Sequence, residues 1–211
     1  MGMSARADSG PRPRTAALIG LMVVSMALFC VLVPIHASLY DAPIVLALPL
    51  GAALCGALLL APLRPRTASV LACLAVWALP LISVHGSSDW PWPWSVPAMI
   101  AFTLFVLVLT TTHGWRAGAV PLAIGHLGPL LSAPLLGRAA AAGTDLIVAA
   151  SVTTGAFLLA VLLASRLRVG VELSREREVS AAEYSRRLLV EERTRIAREM
   201  HDIVAHNLTV M

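Results

Sequence analysis

Six apolar stretches, each about as long as a bilayer is thick, constrain this chain more than any other feature. They fall at roughly 15–35, 43–63, 67–84, 95–112, 118–136 and 144–165, and about 17 to 25 apolar residues are what a helix needs to cross the hydrocarbon core. Inside hydrocarbon no water satisfies the backbone, so each stretch must bond its own N–H and C=O groups as a helix. With 58% hydrophobic residues, 13% charged and a mean hydropathy of +0.80, the chain is too apolar for an ordinary soluble domain. The first stretch is too long for a signal peptide and is followed by no clean A-x-A-like site, so it reads as a retained span.

The arginines orient the spans. All 16 basic residues are arginine. Arg6, Arg12 and Arg14 precede the first span, Arg64 and Arg66 join the second to the third, Arg116 joins the fourth to the fifth, and Arg166 and Arg168 follow the sixth. The alternate loops, "IHASLYDA" and "HGSSDWPWPWS", carry no basic residue, and only Arg138 stands on that side. The positive-inside rule then places both termini in the cytoplasm, as a multi-pass protein of the plasma membrane. Residues 1–169 hold nine arginines against four acids, and residues 170–211 seven against eight. The basic excess thus sits among the spans, which argues for the lipid bilayer as partner and against nucleic acid.

Pro121, Pro129 and Pro134, with Gly125 and Gly128, interrupt the fifth stretch, so a kinked or re-entrant segment is expected there. Cys30, Cys55 and Cys73 lie in apolar runs without CxxC spacing, which suggests buried apolar side chains instead of a disulfide framework or a zinc site. Trp90, Trp92 and Trp94 read as an interfacial anchor stiffened by Pro91 and Pro93, with stimulus sensing as the other reading. His126, inside the fifth stretch, is either bonded to a neighbouring helix or functional.

After Arg168 glutamate and arginine alternate, and neither proline nor glycine occurs from Val171 to Met211. This predicts one long helix. Leu189, Ile196, Ile203 and Val210 recur every seven residues, beside a second row of Val190, Ala197, Val204 and Met211. So wide an apolar stripe suits a four-helix bundle, with the partner helix coming from another subunit. The fold class is therefore an all-α membrane protein: about six transmembrane helices, then a long cytoplasmic helix entering a dimeric four-helix bundle.

Within that tail His201 lies about 140° from Ile196 around the helix, at the edge of the packed face, and Asp202 about 240° away, pointing outward. His206 stands one turn beyond Asp202. Zinc-binding helices set two histidines at i and i+4; His201 and His206 are five apart, which does not favour a metal site.

The run "EERTRIAREMHDIVAHNLTVM" resembles the phosphoacceptor segment of two-component sensor histidine kinases, in the branch reading E-R-x-R-I-A-R-E-[LM]-H-D. Glu192, Arg193, Arg195, Ile196, Ala197, Arg198, Glu199, Met200, His201 and Asp202 carry the match. The resemblance implies that His201 is phosphorylated from ATP with Mg²⁺ and that Asp202 is the adjacent base. It implies a homodimer that passes the phosphoryl group to an aspartate of a response regulator. The fifth position after the phosphoacceptor, often glutamine in this branch and assigned to orienting a water for dephosphorylation, is His206.

Such a kinase also needs an ATP-binding domain with an asparagine-bearing helix and glycine-rich loops. The 211 residues contain no G-x-G and no lysine, so that domain is expected outside them, with the sequence breaking off inside the first dimerisation helix. The expected organisation is a cytoplasmic 1–14, a six-span membrane sensor at 15–165, a helical linker at 166–190 and the start of the phosphotransfer domain at 191–211. The alternative is a non-enzymatic membrane protein whose cytoplasmic coiled coil only dimerises.

Overall fold

A computed structural model describes residues 13–83 and 90–209; the side chains of 187–211 and of a few scattered earlier positions lie outside that description. All regular structure among the described residues is helical: α1 (Pro13–Ser38), α2 (Ile44–Leu60), α3 (Pro65–Ile82), α4 (Val96–His113), α5 (Trp115–Leu135) and α6 (Ala139–Thr209). By length and composition five of these are able to cross a membrane, with α2, at 17 residues, falling one short of the 18-residue length that the others reach. The chain is an all-α, multi-pass membrane protein, and it divides into two compact units, residues 1–164 and 165–211.

Proline and glycine set the helix ends in the first unit. Pro65 and Pro97 occupy first-turn positions in α3 and α4, where a missing N–H costs nothing. Ser95 caps α4, its Oγ accepting from the Ala98 N–H at 3.4 Å. Gly114 alone separates α4 from α5, with φ 94°, a conformation open to glycine and strained for other residues. At the far end of α5 the Gly137 N–H donates to Pro134 O (3.1 Å) and the Arg138 N–H to Ala133 O (2.9 Å). With Gly137 at φ 68°, this is a Schellman stop.

Of the two forms expected for the fifth stretch, kinked or re-entrant, the re-entrant one is not seen: Trp115–Leu135 is one helix, long and apolar enough to cross a membrane. The helix runs unbroken over 21 residues through all three prolines. Its glycines supply the reason: a Cβ on Gly118 would collide with Thr110, on Gly125 with the Phe102 ring and on Gly128 with the Trp77 ring. These three positions lie on one face, where the absence of side chains lets α5 settle against α3 and α4. That packing holds the helix in register where its own backbone bonds are missing.

The core of the unit is built on α4, whose Phe102, Phe105, Val106 and Leu109 are wholly buried, against Leu54 and Leu58 of α2 and Leu32 of α1. Ala68, Ala72 and Ala75 of α3 are also wholly buried, and their small side chains admit the neighbouring helices closely. Outside this core, large apolar residues such as Met22, Val23 and Val45 are exposed, as lipid-facing surfaces require.

In the second unit the backbone is helical from Ser165 to Thr209. The helix expected from the lack of proline and glycine is present.

Candidate functional site

Two places hold the residues of interest. The first is the last stretch of α6. His201, Asp202 and His206 all stand on helical backbone, and their side chains lie outside the described residues. A helix turns about 100° per residue, so Asp202 and His206 share a face and His201 is about a quarter turn from Asp202.

The second place is a polar cluster in the first unit, at the ends of α1 and α3 and the starts of α4 and α6. Each member follows from a local constraint. His36, buried in the last turn of α1, has Nδ1 2.9 Å from Leu32 O. That carbonyl only accepts, so Nδ1 carries the proton and Nε2 accepts from Ser95 Oγ at 3.2 Å. One serine thus both caps α4 and ties it to α1. The Tyr40 ring stacks on His36 with centroids 5.3 Å apart, and its hydroxyl donates to Pro91 O at 2.8 Å. Burial, and then the nearby Asp145 carboxylate, push the Tyr40 phenol up to about 12, so it stays a donor at any ordinary pH.

Trp92 is the centre of this cluster. Its backbone N–H donates to Asp145 Oδ2 at 2.9 Å, its indole N–H donates to Pro80 O at 3.3 Å, and the Arg138 guanidinium lies 4.9 Å from its ring. One residue therefore joins α3, the segment before α4, the α5–α6 turn and α6. Trp94 packs its ring 5.2 Å from His126 and 5.4 Å from Phe102, and its buried Nε1 meets no hydrogen-bond partner among the described residues. His126 itself has Nδ1 2.9 Å from Leu122 O and Nε2 3.0 Å from Thr153 Oγ1 of α6.

The expectations from sequence divide here. Of the three tryptophans read as an interfacial anchor, only Trp90 is exposed (43%); Trp92 and Trp94 are 4% and 3% exposed. The Pro80 carbonyl and the Asp145 carboxylate accept from Trp92, and the rings of Phe102 and His126 pack on Trp94. His126 is bonded to a neighbouring helix. Asp145, His36 and Ser95 were not singled out from sequence, although Asp145 carried a signal as an acid within an otherwise apolar stretch. Among the described residues no three His, Cys, Asp or Glu side chains gather as a metal site would require.

Residues 192–211 match the family model described as histidine kinase, 20 of the 211 residues. No curated protein and no solved structure matches the chain. The match covers the part of α6 that carries His201, Asp202 and His206, so over these residues the multi-pass helical chain is similar to the histidine kinase family.

Proposed function

We propose that the chain is the sensing and phosphoacceptor part of a membrane-bound, two-component histidine kinase, with His201 as the phosphorylated residue. One observation carries this reading: the family match and the E-R-x-R-I-A-R-E-[LM]-H-D run coincide on one continuous helix. In the proposed reaction an imidazole nitrogen of His201 attacks the γ-phosphorus of ATP. An N–P bond forms, the bond to the β-phosphate oxygen breaks, and ADP leaves. Asp202 takes the ring proton as the adjacent base. Mg²⁺ arriving with the nucleotide neutralises the phosphates. The phosphoryl group then passes to an aspartate of a response regulator, freeing the histidine.

The reading includes a homodimer, with the stripe through Ile196 and Ile203 buried in a four-helix bundle, and cytoplasmic termini. It further assigns His206 to orienting water when the response regulator is dephosphorylated. The nucleotide is held by an ATP-binding domain of the family's kind, supplied outside residues 1–211.

The test uses the protein as its native membrane holds it, incubated with γ-labelled ATP. The expected product is acid-labile, alkali-stable phosphate on the chain, absent from His201→Gln. Label retained by that variant, or label stable to acid, would overturn the assignment and leave a coiled coil that only dimerises.

A further inference from the structure

A groove with a cavity volume of about 600 Å³ lies between α3, from Pro65 to Trp77, and the first half of α5. Its walls are apolar: Val70, Leu74 and Trp77 of α3 face Val120 and Ile124 of α5. Its mouth is cationic, lined by Arg66 and Arg116. Both arginines belong to the first turns of their helices, and neither turn contains an acid. No carboxylate lines any part of the groove.

Three features fit one kind of occupant. From Pro65 to Trp77 the groove runs twelve residues along α3, about 18 Å, close to the depth of one leaflet of a hydrocarbon core about 30 Å thick. Arg66 and Arg116 both line the groove, the Arg116 guanidinium lying 5.4 Å from the Trp115 ring; a guanidinium suits a phosphodiester in charge and hydrogen-bonding capacity, and helix N-termini add positive potential there. The remaining walls present aliphatic and indole surface but no charge. A free phosphate would leave the apolar length unused, and a zwitterionic phospholipid would bring its own ammonium up to the two arginines along with its phosphate, whereas an anionic one brings no opposing cation.

We propose that this groove holds one anionic glycerophospholipid, with its phosphate between Arg66 and Arg116 and an acyl chain along Val70, Leu74 and Val120. The site is independent of the phosphoacceptor assignment. On the proposed orientation it opens at the cytoplasmic leaflet, where anionic lipids concentrate. The bound lipid bridges α3 and α5, the pair whose close approach depends on Gly128 beside Trp77.

The test is native mass spectrometry of the intact purified protein, titrated separately with dioleoylphosphatidylglycerol and dioleoylphosphatidylcholine. Phosphatidylglycerol should stay bound under collisional activation that strips phosphatidylcholine. Arg66→Gln with Arg116→Gln should weaken phosphatidylglycerol binding roughly 25-fold, about fivefold per arginine, and leave phosphatidylcholine unchanged. Val120→Trp, which fills the groove and keeps both charges, should also displace phosphatidylglycerol. Equal retention of both lipids by the native chain, or undiminished phosphatidylglycerol on the double arginine variant, overturns the proposal. So does a dimer that Val120→Trp dissociates with no change in bound lipid, because a second copy of the chain is then the occupant.

Discussion

Replacing Gly125 by alanine should destabilise the membrane unit by about 1 kcal/mol, although the same change at Gly155 should stabilise it. Gly125 is buried in α5 against the ring of Phe102, and a Cβ there would overlap the ring, with Cε2 only 2.9 Å away. The ring has little room to swing. It is wholly buried, with Trp94 at 5.4 Å, His126 at 5.9 Å and Phe105 at 6.1 Å between centroids. Forcing an extra methyl into such a site costs about 1–3 kcal/mol. Against this, alanine is favoured over glycine in a helix by about 0.5–1 kcal/mol. The packing penalty prevails. At Gly155 of α6 nothing lies within 4 Å of a Cβ, so only the helical gain of about 0.5–1 kcal/mol remains. Cys55, 3% exposed, supplies the assay: with Cys30 and Cys73 changed to serine, a maleimide dye reports opening of the core in micelles as temperature rises. Gly125→Ala should label at a lower temperature than the parent, and Gly155→Ala at a higher one. Equal or raised stability of Gly125→Ala would refute the argument that α5 crosses its prolines on a glycine face.

His206→Ala should leave labelling of His201 intact and change only the rate at which the phosphorylated response regulator loses phosphate; a parallel loss of both activities would contradict that division. Deleting one residue from "SAAEYSRR" should turn His201 by about 100° and shift the kinase output seen in a reporter strain, whereas unchanged signalling would speak against a rigid helical linkage. The raised Tyr40 phenol carries a sign: below pH 10 the folded and unfolded states are both protonated there. Between 10 and about 12 only the folded state keeps its proton. Stability should therefore fall as pH rises through that window, by on the order of 2 kcal/mol. Tyr40→Phe should lack this slope in unfolding curves. The window is simplified by the absence of lysine, and an unchanged slope in the variant would dissociate it from Tyr40.

The helices were legible in the sequence because each depends on local properties: apolar length, and proline or glycine at the ends. Among the described residues the six apolar stretches fall on six helices, and the tail without proline or glycine continues as helix to Thr209. What stayed hidden was tertiary. Three prolines in α5 argue for a kinked or re-entrant segment, and the seating of Gly125 on Phe102 and Gly128 on Trp77 that accompanies its continuous helix depends on residues distant in sequence. The tryptophans were misjudged for a related reason. Trp92 and Trp94 have the amphipathic character of an interfacial belt, but Pro80 O, Asp145 and His126 come from 12 to 53 residues away to draw them inward. The segment proposed to accept phosphate is the opposite case, since a contiguous run carries its resemblance and the family match covers the same residues, 192–211.

If the chain signals as proposed, with a stimulus moving α6 between two positions, the polar cluster bears on how large that movement is. Within the membrane unit Asp145 accepts from the Trp92 N–H and Thr153 meets His126. A bond to a charged group contributes about 1.5–3 kcal/mol and a neutral one about 0.5–1.5. Breaking both therefore changes the balance between two positions of the helix by about 2–4.5 kcal/mol. Moving a two-state equilibrium from 1:99 to 99:1 takes about 5.5 kcal/mol. The two bonds alone fall short of a full switch, so apolar repacking must supply the rest. Ala142, Ala149 and Ala160 of α6 are wholly buried, and small side chains of this kind give a helix close contacts that a shift would have to exchange. Asp145→Asn keeps an acceptor for the Trp92 N–H and removes the charge, about half of that bond's strength. It should bias the basal output of the sensor without locking it on or off. A fully locked phenotype would mean that the charge of Asp145 governs more than its bond to Trp92, and that its effect on the buried Tyr40 phenol has to be counted in the switch as well.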